Sequence, residues 1–147
     1  MTLKERLAED LKLSMKEKDS VKKNTVQSIR TAVLQIEKDK KVTLDDEGVI
    51  EVIAKELKKR KDVLPEYEKS GREDLIAGLK REIEIVTAYL PSQLSRDELD
   101  EIVKDAVQST GASSMRDMGK IMQAVMPKVK GRADGKAVNE IAKKYLS

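Results

Sequence analysis

The sequence predicts an all-α protein, with an N-terminal helical domain followed by a small three-helix tail domain. Only 2% of the 147 residues are aromatic, so the core must be built from Leu, Ile, Val, Met and Ala. Charged residues make up 39% of the chain, well above the ~25% of an average domain, and Lys, Glu, Leu and Ala favour helices. Apolar residues also recur every three or four positions, as in amphipathic helices.

The first two helices are predicted from capping signals and apolar stripes. Thr2 and Glu5 have the spacing of a capping box before the first helix. Its apolar face is predicted to be Leu3, Leu7, Leu11 and Met15. Asp19-Ser20 is a start signal for the second helix, which we expect to end near Lys38. The apolar positions of that helix are Val21, Ile29, Val33 and Ile36.

Two further helices are predicted before residue 91. The third is expected to start at Thr43, and Pro65 should kink or break it because proline lacks a backbone donor and clashes with the preceding turn. Gly71 should end this segment. The fourth helix is predicted from the stripe Leu75, Leu79, Ile83, Val86 and Leu90. The alternation at 82–85 also suits a strand, but the helical stripe runs through it.

A domain boundary is predicted at Pro91, because proline disfavours helix in the residue before it and Ser95 with Glu98 forms a new capping box. We therefore divide the chain into residues 1–91 and 92–147. The second part should hold three short helices: one ending at Gly111, one opened by Ser114 and one capped by Asp134. Helices of about three turns are marginal alone, so these should pack together.

The missing residue types limit the possible chemistry. Without His or Cys there is no Ser-His-Asp triad, no thiolate and no imidazole ligand. Gly135-Lys136 lacks the upstream glycine of a nucleotide-binding loop and is followed by Ala137. The sequence therefore predicts no catalytic residues, no cofactor and no metal. Asp45, Asp46 and Glu47 could be a metal cluster, but acidic residues also favour the first turn of a helix without any metal.

A cytoplasmic location and no membrane partner are predicted from two features. The absence of Cys fits a reducing compartment. The start Met1-Thr2-Leu3-Lys4-Glu5 is charged, with no apolar segment of the kind that directs export, and no run approaches the ~18 apolar residues of a membrane span.

Positive charge is concentrated in the last third of the chain. Residues 115–147 contain eight basic and three acidic side chains, whereas residues 44–114 contain 11 basic and 17 acidic ones. A turn with Pro127, Gly131 and Gly135 lies within the basic part. The candidate RNA-binding residues around this turn are Lys120, Lys128, Lys130, Arg132 and Lys136.

Two interpretations of this basic turn remain open. The lysines could simply keep a small helical domain soluble, or they could bind phosphates. Tyr145 is the sole aromatic residue of the last third, so reading of single-stranded bases by stacking is not expected. Met115, Met118, Met122 and Met126 could likewise form a partner-binding stripe, but methionines at helical spacing more often belong to a core.

Three segments resemble the YqeY family, and the resemblance covers essentially the whole chain. They are Ala88-Tyr89-Leu90-Pro91-Ser92-Gln93-Leu94-Ser95, Met118-Gly119-Lys120-Ile121-Met122 and Gly131-Arg132-Ala133-Asp134-Gly135-Lys136-Ala137-Val138-Asn139. The last part is similar to the tail domain of the GatB subunit of the tRNA-dependent amidotransferase. That enzyme converts mischarged glutamyl- or aspartyl-tRNA into the glutaminyl or asparaginyl form. In that enzyme the tail contacts the tRNA, while the chemistry takes place in other domains.

The resemblance implies a non-catalytic accessory protein that binds tRNA or another structured RNA, in association with an aminoacyl-tRNA-processing complex. Two alternatives remain. One is a component of a glutamine-dependent carbon-nitrogen ligase assembly, which would need other subunits for activity. The other is a helical protein-interaction module without RNA.

Overall fold

A computed structural model describes residues 1–146, and within them it contains seven α-helices, one short 3₁₀ turn and no strand. The predicted all-α class is confirmed. The helices are α1 (Leu3–Lys16), α2 (Ser20–Lys40), α3 (Asp46–Ser70), α4 (Glu73–Thr87), α5 (Arg96–Thr110), α6 (Met118–Val129) and α7 (Gly135–Tyr145). Residue contacts divide the chain into two compact units, Met1–Leu90 and Pro91–Ser147.

The first unit packs α1 to α4 around one apolar core. Its buried residues are Leu7, Val26, Ile29, Val33, Val49, Val52, Ile53, Leu57, Val86 and Tyr89. The capping box of Thr2 and Glu5 is present at the start of α1. Asp19 caps α2 and accepts a hydrogen bond from the Lys22 backbone N–H.

Met15 does not belong to the buried face of α1. It is 56% exposed, whereas Ser14 is fully buried and donates its hydroxyl to the Leu11 carbonyl. The reason is helix geometry: with 3.6 residues per turn, Met15 lies about 120° around the helix from Leu3, and Ser14 only about 20°. A strict four-residue spacing drifts off the face within three turns.

Three boundaries in the first unit differ from the prediction. Helix α2 continues to Lys40 and ends at Lys41, which has a left-handed backbone with φ 54°. Helix α3 is capped by Asp45 rather than started by Thr43, since the Asp45 side chain accepts from the Gly48 N–H. Of the kink or break predicted at Pro65, the break is wrong, because α3 runs unbroken from Asp46 to Ser70.

The second unit packs α5, α6 and α7 around a separate core. The buried residues are Leu99, Val103, Ala106, Ile121, Val125, Val129, Val138, Ile141, Ala142 and Leu146. The capping box of Ser95 and Glu98 opens α5 as predicted. Ser114 opens a 3₁₀ turn, Met115–Asp117, which leads into α6. Asp134 caps α7 by accepting from the Ala137 N–H at 2.8 Å.

None of the helices described over residues 1–146 combines the length and the apolar character needed to cross a membrane.

Candidate nucleic-acid interface

The five predicted RNA-binding residues are distributed over α6, α7 and the connection between them. Lys120 lies in the first turn of α6, Lys128 in its last turn, and Lys136 in the first turn of α7. These three side chains are exposed, whereas Lys130 and Arg132 in the connection are only partly exposed. The structure therefore separates the five residues into exposed cations on helix ends and two residues embedded in the turn.

Hydrogen bonds explain why the connection is embedded. Gly131 is buried and has a φ of 74°, a conformation that favours glycine. Its carbonyl accepts a hydrogen bond from Gln93 Nε2 at 2.7 Å. The Leu94 N–H donates to the Arg132 carbonyl at 2.9 Å. The α6–α7 connection is thus joined to the segment that precedes α5.

Arg132 takes part in the same contact through its side chain. Its Nε donates to the Ser92 carbonyl at 3.0 Å. Its charge also adds to the lowered pKa of the Glu98 carboxyl, which is caused mainly by the capping bonds at Ser95. Sequence reasoning proposed Arg132 as a phosphate ligand, and the structure adds a structural role that the sequence did not indicate.

Gly135 at the start of α7 lies against Met122 and Met126 of α6. A Cβ added to Gly135 would lie 3.6 Å from Met122 Cε and 3.9 Å from Met126 Cε. Met118, Met122 and Met126 are partly buried against the core of the second unit. Met115 differs from them, since it is 47% exposed. Most of the methionine stripe therefore belongs to the packing of this unit.

The exposed lysines differ in their electrostatic surroundings. Lys120 Nζ lies 3.6 Å from Asp117 Oδ1. The pKa of Asp117 is lowered mainly by hydrogen bonds from the Ser113 and Ser114 N–H groups, with a smaller contribution from Lys120. In residues 1–146, neither Lys128 nor Lys136 has an ion pair. Among the five candidate residues, the charges of these two lysines are the most available to an external anion.

The acidic residues considered as a metal cluster have structural partners instead. Asp45 caps α3, and Asp46 Oδ1 accepts a hydrogen bond from the Leu3 N–H at 3.0 Å. Over the described part of the chain, no group of three or more acidic side chains is arranged to hold a metal ion.

A small cavity in the first unit has a volume of about 90 Å³. It is lined by Lys4, Leu7, Arg30, Val33, Leu34 and Glu37. Pockets for small ligands usually measure about 300–1,000 Å³, so this cavity is too small for a typical organic cofactor.

Together, the helices, the two cores and the basic ends of α6 and α7 define an all-α protein of two helical units with a cationic surface on the second. The comparison with protein families then identifies its family. The family model of YqeY, described as Yqey-like protein, matches residues 4–146. The chain belongs to the YqeY family.

Curated relatives are found in yeasts. The chain is 33% identical over 130 residues to "Altered inheritance of mitochondria protein 41, mitochondrial" of Kluyveromyces lactis. The matched region makes up 82% of this chain and 70% of that protein. The chain is 31% identical over 119 residues to the protein of the same name from Vanderwaltozyma polyspora, covering 76% and 64% respectively. The chain thus spans about two thirds of the length of these relatives.

These names contradict the cytoplasmic location predicted from the sequence. The relatives are named as mitochondrial proteins, so the prediction of a cytoplasmic protein is wrong. Its weakness is physical: an absence of cysteine suits any reducing compartment and does not single out the cytosol.

Proposed function

We propose that this protein binds structured RNA of the tRNA type through backbone phosphates, as a non-catalytic accessory factor. The observation that carries the proposal is the pair Lys128 and Lys136. Both side chains are exposed, and neither has an ion pair within residues 1–146. Lys128 lies at the end of α6 and Lys136 at the start of α7, on either side of one turn. Residues 115–147 around them contain eight basic and three acidic side chains. Such a local excess of positive charge attracts the phosphates of nucleic acids.

Recognition of shape and backbone fits this surface better than recognition of bases. Base readers place aromatic side chains where unpaired bases can stack. The Tyr145 hydroxyl donates to Asp100 at 2.8 Å, and its ring packs against the core of the second unit. Tyr145 is thus used inside its own unit, which favours phosphate contacts.

The resemblance of the second unit to the tail domain of the GatB subunit supports tRNA as the RNA. That tail contacts tRNA within an enzyme whose chemistry lies elsewhere. A role beside a carbon-nitrogen ligase assembly and a role as a protein-interaction module are the competing functions. A measurement of tRNA affinity separates the protein-interaction module from RNA binding.

The test uses the full chain and measures its affinity for tRNA as salt is raised. Binding through phosphates releases counterions, so the logarithm of the association constant should fall linearly with the logarithm of the salt concentration. The double variant Lys128→Ala/Lys136→Ala should bind more weakly, with a slope reduced by about 0.7–0.9 for each phosphate that is no longer neutralised. Lys130 and Arg132 are left unchanged because replacing Arg132 would also remove its bond to Ser92.

The matched control lies in the same unit. Lys143 and Lys144 are exposed in the last turn of α7, the opposite end of that helix from Lys136. Replacing both by Ala removes the same charge, so a localised site predicts a much smaller reduction in affinity. Equal reductions in the two double variants would mean diffuse attraction without a site. If the intact protein does not bind tRNA at low salt, RNA binding is rejected and the protein-interaction function is favoured.

A further inference from the structure

The small cavity of the first unit is formed by residues of α1 and α2. Its volume is about 90 Å³, and it is lined by Lys4, Leu7, Arg30, Val33, Leu34 and Glu37. The α2 residues of this list follow one another at intervals of three or four positions, so they belong to one face of that helix. Leu7 and Val33 are buried, whereas Leu34 is 61% exposed. The cavity therefore has buried apolar side chains in its lining and an exposed one beside its opening.

Two of the three charged groups that line this cavity neutralise each other. Lys4 Nζ donates a hydrogen bond to the Glu37 carboxylate, which also accepts one from the Leu44 N–H at 2.7 Å. The hydrogen bond from Lys4, and after it the one from Leu44, lowers the pKa of the Glu37 carboxyl. Lys4 and Glu37 thus contribute no net charge to the cavity.

Arg30 is the third charged group, and it differs from the other arginines of the first unit. It is partly buried, and within residues 1–146 it has no ion pair. The other arginines of this unit each lie within 4.0 Å of a carboxylate oxygen; they are Arg6, Arg60, Arg72 and Arg81. A guanidinium binds a carboxylate through two parallel N–H bonds. The lining of the cavity therefore offers apolar contact together with one positive charge that this chain does not neutralise.

We propose that this cavity binds the carboxyl-terminal residue of a partner protein, with an aliphatic side chain in the cavity and the terminal carboxylate paired with Arg30. The volume fits such a side chain. A cavity of about 150 Å³ holds one benzene molecule, so about 90 Å³ suits a smaller group of roughly four heavy atoms, as in leucine. In a terminal residue the side chain and the carboxylate share one Cα, so both can reach a site this small. Capture of a terminal carboxylate is a known mode of peptide recognition.

The exposed Leu34 side chain provides apolar contact for the residue before the terminal one. The site belongs to the first unit, so it does not depend on the RNA binding proposed for the second.

The test titrates the full chain with N-acetyl-L-leucine, which has the side chain and the free carboxylate of a terminal leucine. NMR of the backbone amides should show binding with a Kd in the millimolar range, as expected for a ligand of this size, with shifts at residues 4–7 and 30–37. N-acetyl-L-leucine amide lacks the carboxylate and should bind about tenfold more weakly or worse, since a hydrogen bond to a charged group is lost. N-acetyl-L-alanine should also bind more weakly, because its side chain leaves the cavity unfilled.

Two arginine variants localise the carboxylate. Arg30→Gln should bind N-acetyl-L-leucine about tenfold more weakly or worse and should keep the wild-type melting temperature, since no ion pair is removed. Arg72→Gln is the matched control, because Arg72 is exposed at the start of α4 and does not line the cavity. This variant should bind like the wild type. The comparison of acid and amide needs only the wild-type protein, so it decides the matter if Arg30→Gln fails to fold.

Several results would overturn the proposal. Equal affinities for the acid and the amide would exclude recognition of a carboxylate, and shifts confined to other residues would exclude this cavity. Unchanged binding by folded Arg30→Gln would exclude Arg30 as the partner. Equal affinity for an amidated peptide with an internal leucine–glutamate pair would replace the terminal carboxylate by an internal acidic segment.

Discussion

At the scale of single residues, Tyr89 explains much of the Ala-Tyr-Leu-Pro segment. Its side chain is buried, with 4% exposed, and its hydroxyl donates to the Asp10 carboxylate. The Arg6 guanidinium lies 4.5 Å above the ring centroid and donates to the Ala88 carbonyl at 3.2 Å. Burial first, and then the hydrogen bond to Asp10, raises the pKa of the Tyr89 phenol. These contacts attach the end of α4 to α1.

Replacing Tyr89 by Phe should therefore destabilise the first unit. The variant lacks the hydroxyl that donates to Asp10, and a hydrogen bond to a charged group contributes roughly 1.5–3 kcal/mol. Urea denaturation followed by circular dichroism would measure the decrease in the free energy of unfolding. Tyr67 is 38% exposed near the end of α3, so Tyr67→Phe should change that free energy by no more than about 0.5 kcal/mol. Similar changes in the two variants would contradict a structural role for the Tyr89 hydroxyl.

At the scale of helices, Asp19 links elements that are distant in sequence. It caps α2, and its carboxylate also accepts two hydrogen bonds from Arg81 of α4, including Nη1 to Oδ1 at 2.8 Å. The pKa of Asp19 is lowered from 3.8 to about 2. The hydrogen bond from Arg81 contributes most to this decrease, and the hydrogen bond from the Lys22 N–H contributes second. The start of α2 and the middle of α4 are thereby joined.

This lowered pKa predicts an acid-dependent decrease in stability. The folded pKa lies below the unfolded one, so the contribution of Asp19 is present above about pH 4 and disappears as the pH falls toward 2. Urea midpoints measured at pH 5, 4, 3 and 2 should decline less steeply for Asp19→Asn than for the wild type. Asp45→Asn is the control, since it removes the N-cap carboxylate of α3, which accepts a hydrogen bond from the Gly48 N–H. This variant should change the decline of the urea midpoint with falling pH less than Asp19→Asn does. Parallel pH profiles for the wild type and Asp19→Asn would refute the assignment.

Pro65 illustrates what a local rule misses at the same scale. Proline removes one backbone donor, but its fixed φ near −65° is compatible with a helix. Pro65 is exposed, so the carbonyl that lacks its helical partner can remain accessible to water. Helix α3 also packs extensively against α4, and such tertiary packing supplies most helical stability in proteins.

At the scale of the whole molecule, the second unit begins earlier than its first helix. Ser92, Gln93 and Leu94 precede α5, yet each makes a hydrogen bond to Gly131 or Arg132. This segment therefore belongs to the second unit as part of its structure. The division of the chain between Leu90 and Pro91 agrees with this assignment.

Independent folding of the two parts is a prediction that follows from their separate cores. Limited proteolysis should cut close to residues 90–91, since bonds further along are protected by the hydrogen bonds of residues 92–94. A fragment of residues 91–147 should be helical by circular dichroism, with a higher melting temperature than one of residues 95–147, which lacks those hydrogen bonds. An unfolded 91–147 fragment would mean that the second unit depends on the first. Equal melting temperatures would remove the structural role of residues 92–94.

The candidate site was only partly predictable. Lys120, Lys128 and Lys136 were identified because charge density can be counted along a sequence, and all three are exposed. The partner of Arg132 was not predictable, because Ser92 lies 40 residues away and a side chain that donates to a backbone carbonyl leaves no pattern.

The sequence by itself determined the all-α class and most of the helix starts, because apolar periodicity and capping depend on residues three or four positions apart. Tertiary structure alone decided that Ser14 and not Met15 is buried, that α3 continues through Pro65, and that Arg132 contacts Ser92. Each of these features depends on contacts between segments that are distant in sequence. The free energy of such packing outweighs intrinsic helix propensities of about 1 kcal/mol per residue.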